Sequence, residues 1–160
     1  MKAIVFDVDG TLTDGKIYIG NDGEIMKAFD VKDGCGIHDL LPKKQIMPII
    51  ITARNSSILK NRCFELGITH YYQGCRNKVE KICEIAQELG IEQNSRGLYE
   101  EIAYIGDDII DIPAMNICGI KGCPQDAVEE VKRIVDFISK NTGGNGAVRD
   151  FIEWIIKNKC

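Results

Sequence analysis

The stretch that decides the fold is Ala3-Ile4-Val5-Phe6-Asp7-Val8-Asp9-Gly10-Thr11. Four apolar residues without alternation are the pattern of a central parallel strand, buried on both faces. Two carboxylates then follow where that strand ends. Similar runs recur at Met47-Pro48-Ile49-Ile50-Ile51, Ile102-Ala103-Tyr104-Ile105 and Ile117-Cys118-Gly119-Ile120, with shorter ones at His70-Tyr71-Tyr72 and Ile134-Val135-Asp136-Phe137. Between them, Val79, Ile82, Cys83, Ala86 and Leu89 line one face of a helix. Val128, Val131, Ile134 and Val135 do the same after Gln125-Asp126, and Val148, Phe151, Ile152 and Ile155 predict a last amphipathic helix. Strand and helix alternating in this way predict an α/β fold, a doubly wound Rossmann-like parallel sheet with right-handed crossovers.

One segment breaks the alternation. Lys16 to Gly20 and Glu24 to Phe29 repeat with period two on either side of Asn21-Asp22-Gly23, which predicts a β-hairpin inserted at about residues 16–30. A lone two-stranded hairpin is marginal in water, so Ile17, Ile19 and Ile25 need a surface to meet. Residues 1–160 read as a single domain with a C-terminal tail from about 142 to 160. Neither the gap between Asp9 and Gly34 nor that between Arg54 and Lys78 holds a cap domain of ~50 residues, so none is expected.

The 160 residues carry 20 Lys plus Arg against 24 Asp plus Glu, a net charge of −4, which with the absence of a basic run argues against nucleic acid as partner. At 44% hydrophobic the chain has ample material for a core. No apolar run approaches the ~20 residues of a membrane span. The opening residues turn acidic too soon for a signal peptide, and a cytoplasmic location is expected. The 7 cysteines include no C-x-x-C pair, and most read as small buried hydrophobes rather than zinc ligands or disulfides; Cys160 at the terminus is expected to be exposed.

Ligands of open α/β sheets bind beyond the carboxyl ends of the strands. Asp7-Val8-Asp9-Gly10-Thr11 follows the first strand, Thr52-Ala53-Arg54-Asn55 the Ile49–Ile51 run, and Gly106-Asp107-Asp108-Ile109-Ile110-Asp111 the Tyr104-Ile105 run. Carboxylates gathered in one crevice repel one another unless a cation sits among them, and all-oxygen ligands favour Mg²⁺ over zinc or copper. Thr52 precedes a helix beginning near Ser56, and Lys78 opens the Val79–Leu89 helix. A hydroxyl, helical N–H groups and a point positive charge beside a metal make a phosphate site. Singly, each residue has a plainer use: Asp108 and Thr52 as helix caps, Lys78 as a solvated lysine. Their joint placement at successive strand ends carries the reading.

With these residues in view, the chain resembles the haloacid-dehalogenase-like phosphatase superfamily. Asp7-Val8-Asp9-Gly10-Thr11 looks like its first motif, Thr52 its second, Lys78 its third and Gly106-Asp107-Asp108-x-x-Asp111 its fourth. The resemblance implies that Asp7 is a nucleophile forming an aspartyl phosphate, and that Asp9 protonates the leaving oxygen and later activates water. It also implies a Mg²⁺ ion held by Asp7, the backbone oxygen of Asp9 and Asp107, with Asp108 and Asp111 in support. Thr52 and Lys78 would bind the phosphoryl oxygens.

The likeness extends over nearly the full chain. Gly10-Thr11-Leu12-Thr13-Asp14-Gly15, the hairpin, Lys32-Asp33-Gly34-x-Gly36-Ile37, Leu66-Gly67-Ile68-Thr69, Tyr72-Gln73-Gly74 and Gly143-Gly144-x-Gly146-Ala147-Val148-Arg149 are similar to those of 3-deoxy-D-manno-octulosonate 8-phosphate phosphatases. These are capless members whose hairpins associate four subunits into a tetramer. The resemblance implies a homotetramer acting on a sugar-acid phosphate in lipopolysaccharide synthesis, with the glycine-rich tail and Arg149 covering the site. Thr52-Ala53-Arg54 keeps the arginine of the octulosonate enzymes, able to fork onto the substrate carboxylate, although Ala53 replaces their glycine. Ile120-Lys121-Gly122-Cys123-Pro124 lies closer to the 3-deoxy-D-glycero-D-galacto-nononate 9-phosphate phosphatases, the alternative substrate class. A non-catalytic assembly module, like the domain fused to some cytidylyltransferases, has no need of Asp7, Asp9, Lys78 and Asp107 together. His38 and His70 are read as surface or structural residues, and Phe151 and Trp154 as packing.

Overall fold

The computed structural model of the chain describes residues 1–159, so the expectation for Cys160 lies outside the described residues. A six-stranded sheet forms the middle layer: β1 (Ala3–Phe6), β4 (Met47–Ile51), β5 (His70–Tyr72), β6 (Tyr99–Ile105), β7 (Cys118–Cys123) and β8 (Phe137–Ile138). A separate hairpin pairs β2 (Tyr18–Gly20) with β3 (Gly23–Met26). The helices are α1 (Val31–Cys35), α2 (Ser57–Glu65), α3 (Lys78–Glu88), α4 (Ile112–Met115), α5 (Glu129–Lys132) and α6 (Ala147–Lys159). After α1 the chain continues through a π turn at Gly36–Leu40, and a 3₁₀ turn at Ile109–Asp111 precedes α4.

Every neighbouring pair in the large sheet is parallel, in the order β5-β4-β1-β6-β7-β8. The chain winds outward from β1 to β5, returns to the other side of β1 at β6, and winds outward again. That reversal makes the crevice between the carboxyl ends of β1 and β6 the switch point of a doubly wound sheet. The expected class holds, and the described residues include no cap domain.

The apolar runs are unbroken because each strand faces two layers of helix. Ile4, Phe6, Ile50 and Ile105 pack with Ile37, Leu59 and Cys63 and with Val148, Phe151, Ile152 and Ile155 of α6. Ala3, Val5, Ile49, Ile51 and Tyr104 pack on the opposite face with Ile82, Ile85 and Ala86 of α3, Met115 of α4 and Val131 of α5. Cys63, Cys118 and Cys123 are buried, and the six described cysteines are free thiols.

Two local expectations are corrected. The helix anticipated through Val135 ends at Lys132, and the last strand is Phe137–Ile138 rather than residues 134–137. Asp136 causes the change: its N–H donates to Lys121 O at 2.9 Å and its carboxylate accepts from Lys121 N at 2.8 Å, drawing the chain onto β7 before it extends. The paired strands of the hairpin are shorter than residues 16–30, because a register shift at Tyr18/Ile19 and the departure of Lys27 toward the sheet end the pairing.

In residues 142–159, the glycine-rich stretch expected to cover the site is docked within this chain rather than free. Gly144 N donates to Thr11 O at 3.0 Å and Gly143 N to the Asp126 carboxylate at 2.9 Å, docking the glycines against the loop that follows Asp9. A Cβ on Gly143 would collide with the carbonyls of Gly10 and Thr13, which is why glycine stands there. The rest is α6, with Val148, Phe151, Ile152 and Ile155 all 0% exposed, so this segment is a structural wall of the core.

Candidate active site

The register of the central strands sets the site. Phe6 pairs with Ile50 on one side and Ile105 on the other, so the segments that follow leave the sheet at one level. Asp7 N still reaches Ile105 O at 3.0 Å, which brings the Asp7 side chain up beside Gly106-Asp107. Lys78 comes from the opposite wall, as the first residue of α3, whose end is capped by Asn77 accepting from Glu80 N at 3.2 Å.

These residues form one buried charge cluster. Lys78 Nζ donates to Asp7 Oδ1 at 2.5 Å and to Asp111 Oδ1 at 2.7 Å, with its own side chain only 2% exposed. Asp111, 0% exposed, also accepts from Tyr104 OH at 2.7 Å and, through Oδ2, from Asp107 N at 3.2 Å and Asp108 N at 3.3 Å. Thr11 Oγ1 donates to Asp107 Oδ1 at 2.9 Å. Gly10 has φ +103°, and a Cβ there would overlap the Asp107 carboxylate, so glycine is required by conformation and by space.

Oxygens of Asp7, Asp107 and Asp111 lie within 4.8 Å of one another. Three carboxylates against the single Lys78 ammonium leave two negative charges in a buried site, which fits a divalent cation. Asp111 is the weakest candidate ligand of the three, because four protein donors already occupy its two oxygens. Asp7 and Asp107 each retain an oxygen with no protein donor among the described residues, and the Asp9 carbonyl accepts no hydrogen bond there. The oxygens left open to a divalent cation are those of Asp7, Asp107 and the Asp9 carbonyl, while Asp111 holds Lys78, Tyr104 and the 107–108 backbone in place.

The titration of the cluster agrees. Burial, and then the Asp111 and Asp107 charges, push Asp7 up to about 8, against the opposing pull of Lys78. Burial, with Asp111 and Asp108 nearby, pushes Asp107 up to about 7 despite its hydrogen bond from Thr11. Burial disfavours the Lys78 ammonium, but Asp7 and Asp111 outweigh it and raise its pKa above the ordinary lysine value.

Asp9 lies apart from this cluster. Its Oδ1 accepts from Lys27 Nζ, and its Oδ2 faces Arg54 Nε at 3.7 Å. Lys27 is also 3.0 Å from Glu24 Oε1, and Ser56 Oγ donates to Glu24 Oε2 at 2.5 Å. Burial opposes the Glu24 charge, but the Ser56 and Lys27 hydrogen bonds and the Arg54 charge outweigh it, so that carboxyl titrates below its usual range. Thr52, 2% exposed, sits at the end of β4, its hydroxyl accepting weakly from Arg54 N at 3.5 Å.

Asp7, Lys78, Asp107 and Asp111 thus converge, with Thr52 buried at the neighbouring strand end and Asp9 paired with Lys27 and Arg54 beside it. Asp108 is exposed and caps the 3₁₀ turn, accepting from Ile109 N at 2.7 Å, so its support is to the backbone rather than to an ion. Arg149 is not brought to the site within this chain: its Nε pairs with Glu153 at 2.6 Å and its N–H donates to Asp33 at 2.7 Å. It sits one turn into a helix that faces the core, so the guanidinium is held at the far end of α1. Lys27, Glu24, Ser56 and Tyr104 escaped the sequence reading. Glu24 and Lys27, polar residues of a short ribbon, look like solvated side chains, and Tyr104 is hidden in an apolar run.

No family model matches the chain. It is 39% identical over 156 residues to 3-deoxy-D-manno-octulosonate 8-phosphate phosphatase KdsC of Escherichia coli strain K12, covering 98% of this chain and 79% of that one. The crystal structure of the Moraxella catarrhalis 3-deoxy-D-manno-octulosonate 8-phosphate phosphatase, in complex with magnesium, phosphate and KDO, superposes with a TM-score of 0.89 at 38% identity, covering 98% and 86% of the two chains. A Legionella pneumophila structure described in the HAD superfamily of hydrolases, subfamily III A, superposes with a TM-score of 0.90 at 36% identity, covering 98% and 82%. With its four strand-end motifs gathered at one switch point, the chain belongs to the 3-deoxy-D-manno-octulosonate 8-phosphate phosphatases of the HAD superfamily.

Proposed function

We propose that the chain is a Mg²⁺-dependent phosphatase that hydrolyses 3-deoxy-D-manno-octulosonate 8-phosphate to the free sugar acid and phosphate. The observation that carries this reading is the buried Asp7–Lys78–Asp107–Asp111 cluster, short of two positive charges, at the switch point of the sheet. Asp7, Asp107 and the Asp9 carbonyl would hold Mg²⁺, which would supply positive charge to offset the carboxylates and polarise the phosphoryl group. One Asp7 carboxylate oxygen attacks phosphorus while the other faces the metal, and Lys78 and the Thr52 hydroxyl hold the equatorial oxygens. Asp9 gives its proton to the leaving sugar oxygen, then takes one from the water that cleaves the aspartyl phosphate. Arg54, with its side chain 44% exposed and no partner closer than 3.6 Å, is free to fork onto the carboxylate of the sugar acid.

The same reading includes a homotetramer built on the hairpins. Ile19 and Ile25 are 67% and 64% exposed, and Ile17 and Met26 are exposed beside them, an apolar surface that a symmetric assembly would cover. Phosphate release from the octulosonate 8-phosphate and the nononate 9-phosphate, compared with Mg²⁺ and with EDTA, tests the proposal. A Mg²⁺-dependent preference for the octulosonate is expected. A preference for the nononate moves the substrate, and no turnover of either by an intact oligomer favours the assembly module.

A further inference from the structure

The hairpin brings two charges into the protein as well as an apolar face outward. The side chain of Lys27 is 2% exposed and that of Glu24 is 15% exposed, although they leave a two-stranded ribbon whose Ile19, Ile25 and Met26 are exposed. Glu24 reaches the β4–α2 loop, and Lys27 reaches Asp9 in the loop after β1. Ser56, which caps α2, donates to Glu24 Oε2, and its N–H donates to Gln73 Oε1 at 2.6 Å. Glu24 lies against Lys27, and Lys27 donates to Asp9 Oδ1. The result is a line of contacts from α2 through the hairpin to Asp9.

Charge balance separates this line from the metal cluster. Asp9 and Glu24 are matched by Lys27 and Arg54, so the outer group needs no added cation. Its two cations differ in fixity. Arg54 is half exposed and sits at 3.6–3.7 Å from its partners, free to turn toward substrate, whereas Lys27 is sealed in by Glu24. Once Arg54 is engaged elsewhere, Lys27 is the counter-charge left to orient the Asp9 carboxylate. With Oδ1 fixed by Lys27, Oδ2 is the oxygen presented to the leaving group.

We infer that Lys27, held by Glu24, is a positioning residue that aims the Asp9 carboxyl at the leaving oxygen, so that the hairpin supplies part of the catalytic apparatus. This rests on the proposed role of Asp9 as general acid. In that step the Asp9 O–H proton moves to the bridging oxygen as its bond to phosphorus breaks and the Asp7 oxygen bonds to phosphorus. A sugar alkoxide needs that proton and a nitrophenolate leaves without it, so the leaving group reports on the aim of Asp9 and not on general damage.

The test compares kcat/KM of Lys27→Met, Lys27→Arg and the charge-balanced double variant Lys27→Met with Glu24→Gln. The substrates are the octulosonate 8-phosphate, a simple hexose 6-phosphate and p-nitrophenyl phosphate, with folding followed by thermal midpoint. Loss of positioned acid catalysis lowers the sugar phosphates about a hundredfold, while p-nitrophenyl phosphate changes less than about threefold. Lys27→Arg, which keeps a cation there, restores much of the sugar-phosphate rate. Equal losses on all three substrates, or no loss on any, overturn the inference. If Lys27→Met does not fold, the double variant carries the same comparison. Should the parent protein fail on the octulosonate but hydrolyse the other two, the substrate assignment falls while the leaving-group comparison still decides the role of Lys27.

Discussion

Asp7 and Asp107 are held as ions only at a cost, and that cost makes metal binding pH-dependent. With pKa values of about 8 and about 7 against 3.8 unfolded, both keep protons in the metal-free fold where the unfolded chain has lost them. The metal-free fold therefore loses stability as pH rises from about 4 to about 8. A divalent cation needs the ionised forms and displaces those protons. The increase in thermal midpoint on adding Mg²⁺ should accordingly grow between pH 5 and pH 8, with proton release in titration calorimetry. An increment that does not vary with pH would contradict the assigned ligands. At the rim, Arg54→Ala should raise KM for the sugar acid about tenfold or more and leave KM for p-nitrophenyl phosphate nearly unchanged. Equal effects on both would remove Arg54 as the reader of the carboxylate.

Among the elements, α6 and the hairpin make opposite predictions. Phe151 is fully buried between the sheet and Trp154, so Phe151→Ala should cost ~3–5 kcal/mol in denaturant unfolding. Truncation after Thr142, the deletion that tests a lid, should instead abolish the fold. A truncated chain that stays folded with altered specificity would support the lid. On the hairpin, Ile19→Glu and Ile25→Glu alter an exposed face and should leave the chain folded while dispersing the oligomer, as read by light scattering. Unchanged mass would show that the hairpins do not hold the assembly. A glycine run in sequence does not distinguish mobility from close packing; the contact of Gly143 with Gly10 is a tertiary fact.

For the whole molecule, what was legible follows from distance along the chain. Continuous apolar runs marked β1, β4 and β6 because double burial leaves no alternation, and the polar residues after them marked the crevice. Short-range signals failed at the edge, where Asp136 decides between helix and strand through a partner on β7. The inner site was legible because its residues sit at strand ends. Glu24 and Lys27 were not, because only the fold of the hairpin over the β4–α2 loop turns them inward. The account stands or falls on Asp7 as the attacking group. Its most direct test is to acid-quench the protein during turnover of octulosonate 8-phosphate carrying labelled phosphorus, beside Asp7→Asn. The account predicts label on the peptide containing Asp7, lost on hydroxylamine treatment, and none in the variant, whose turnover falls about a thousandfold or more. Label on another residue, or phosphate release by Asp7→Asn at the parent rate, would contradict it.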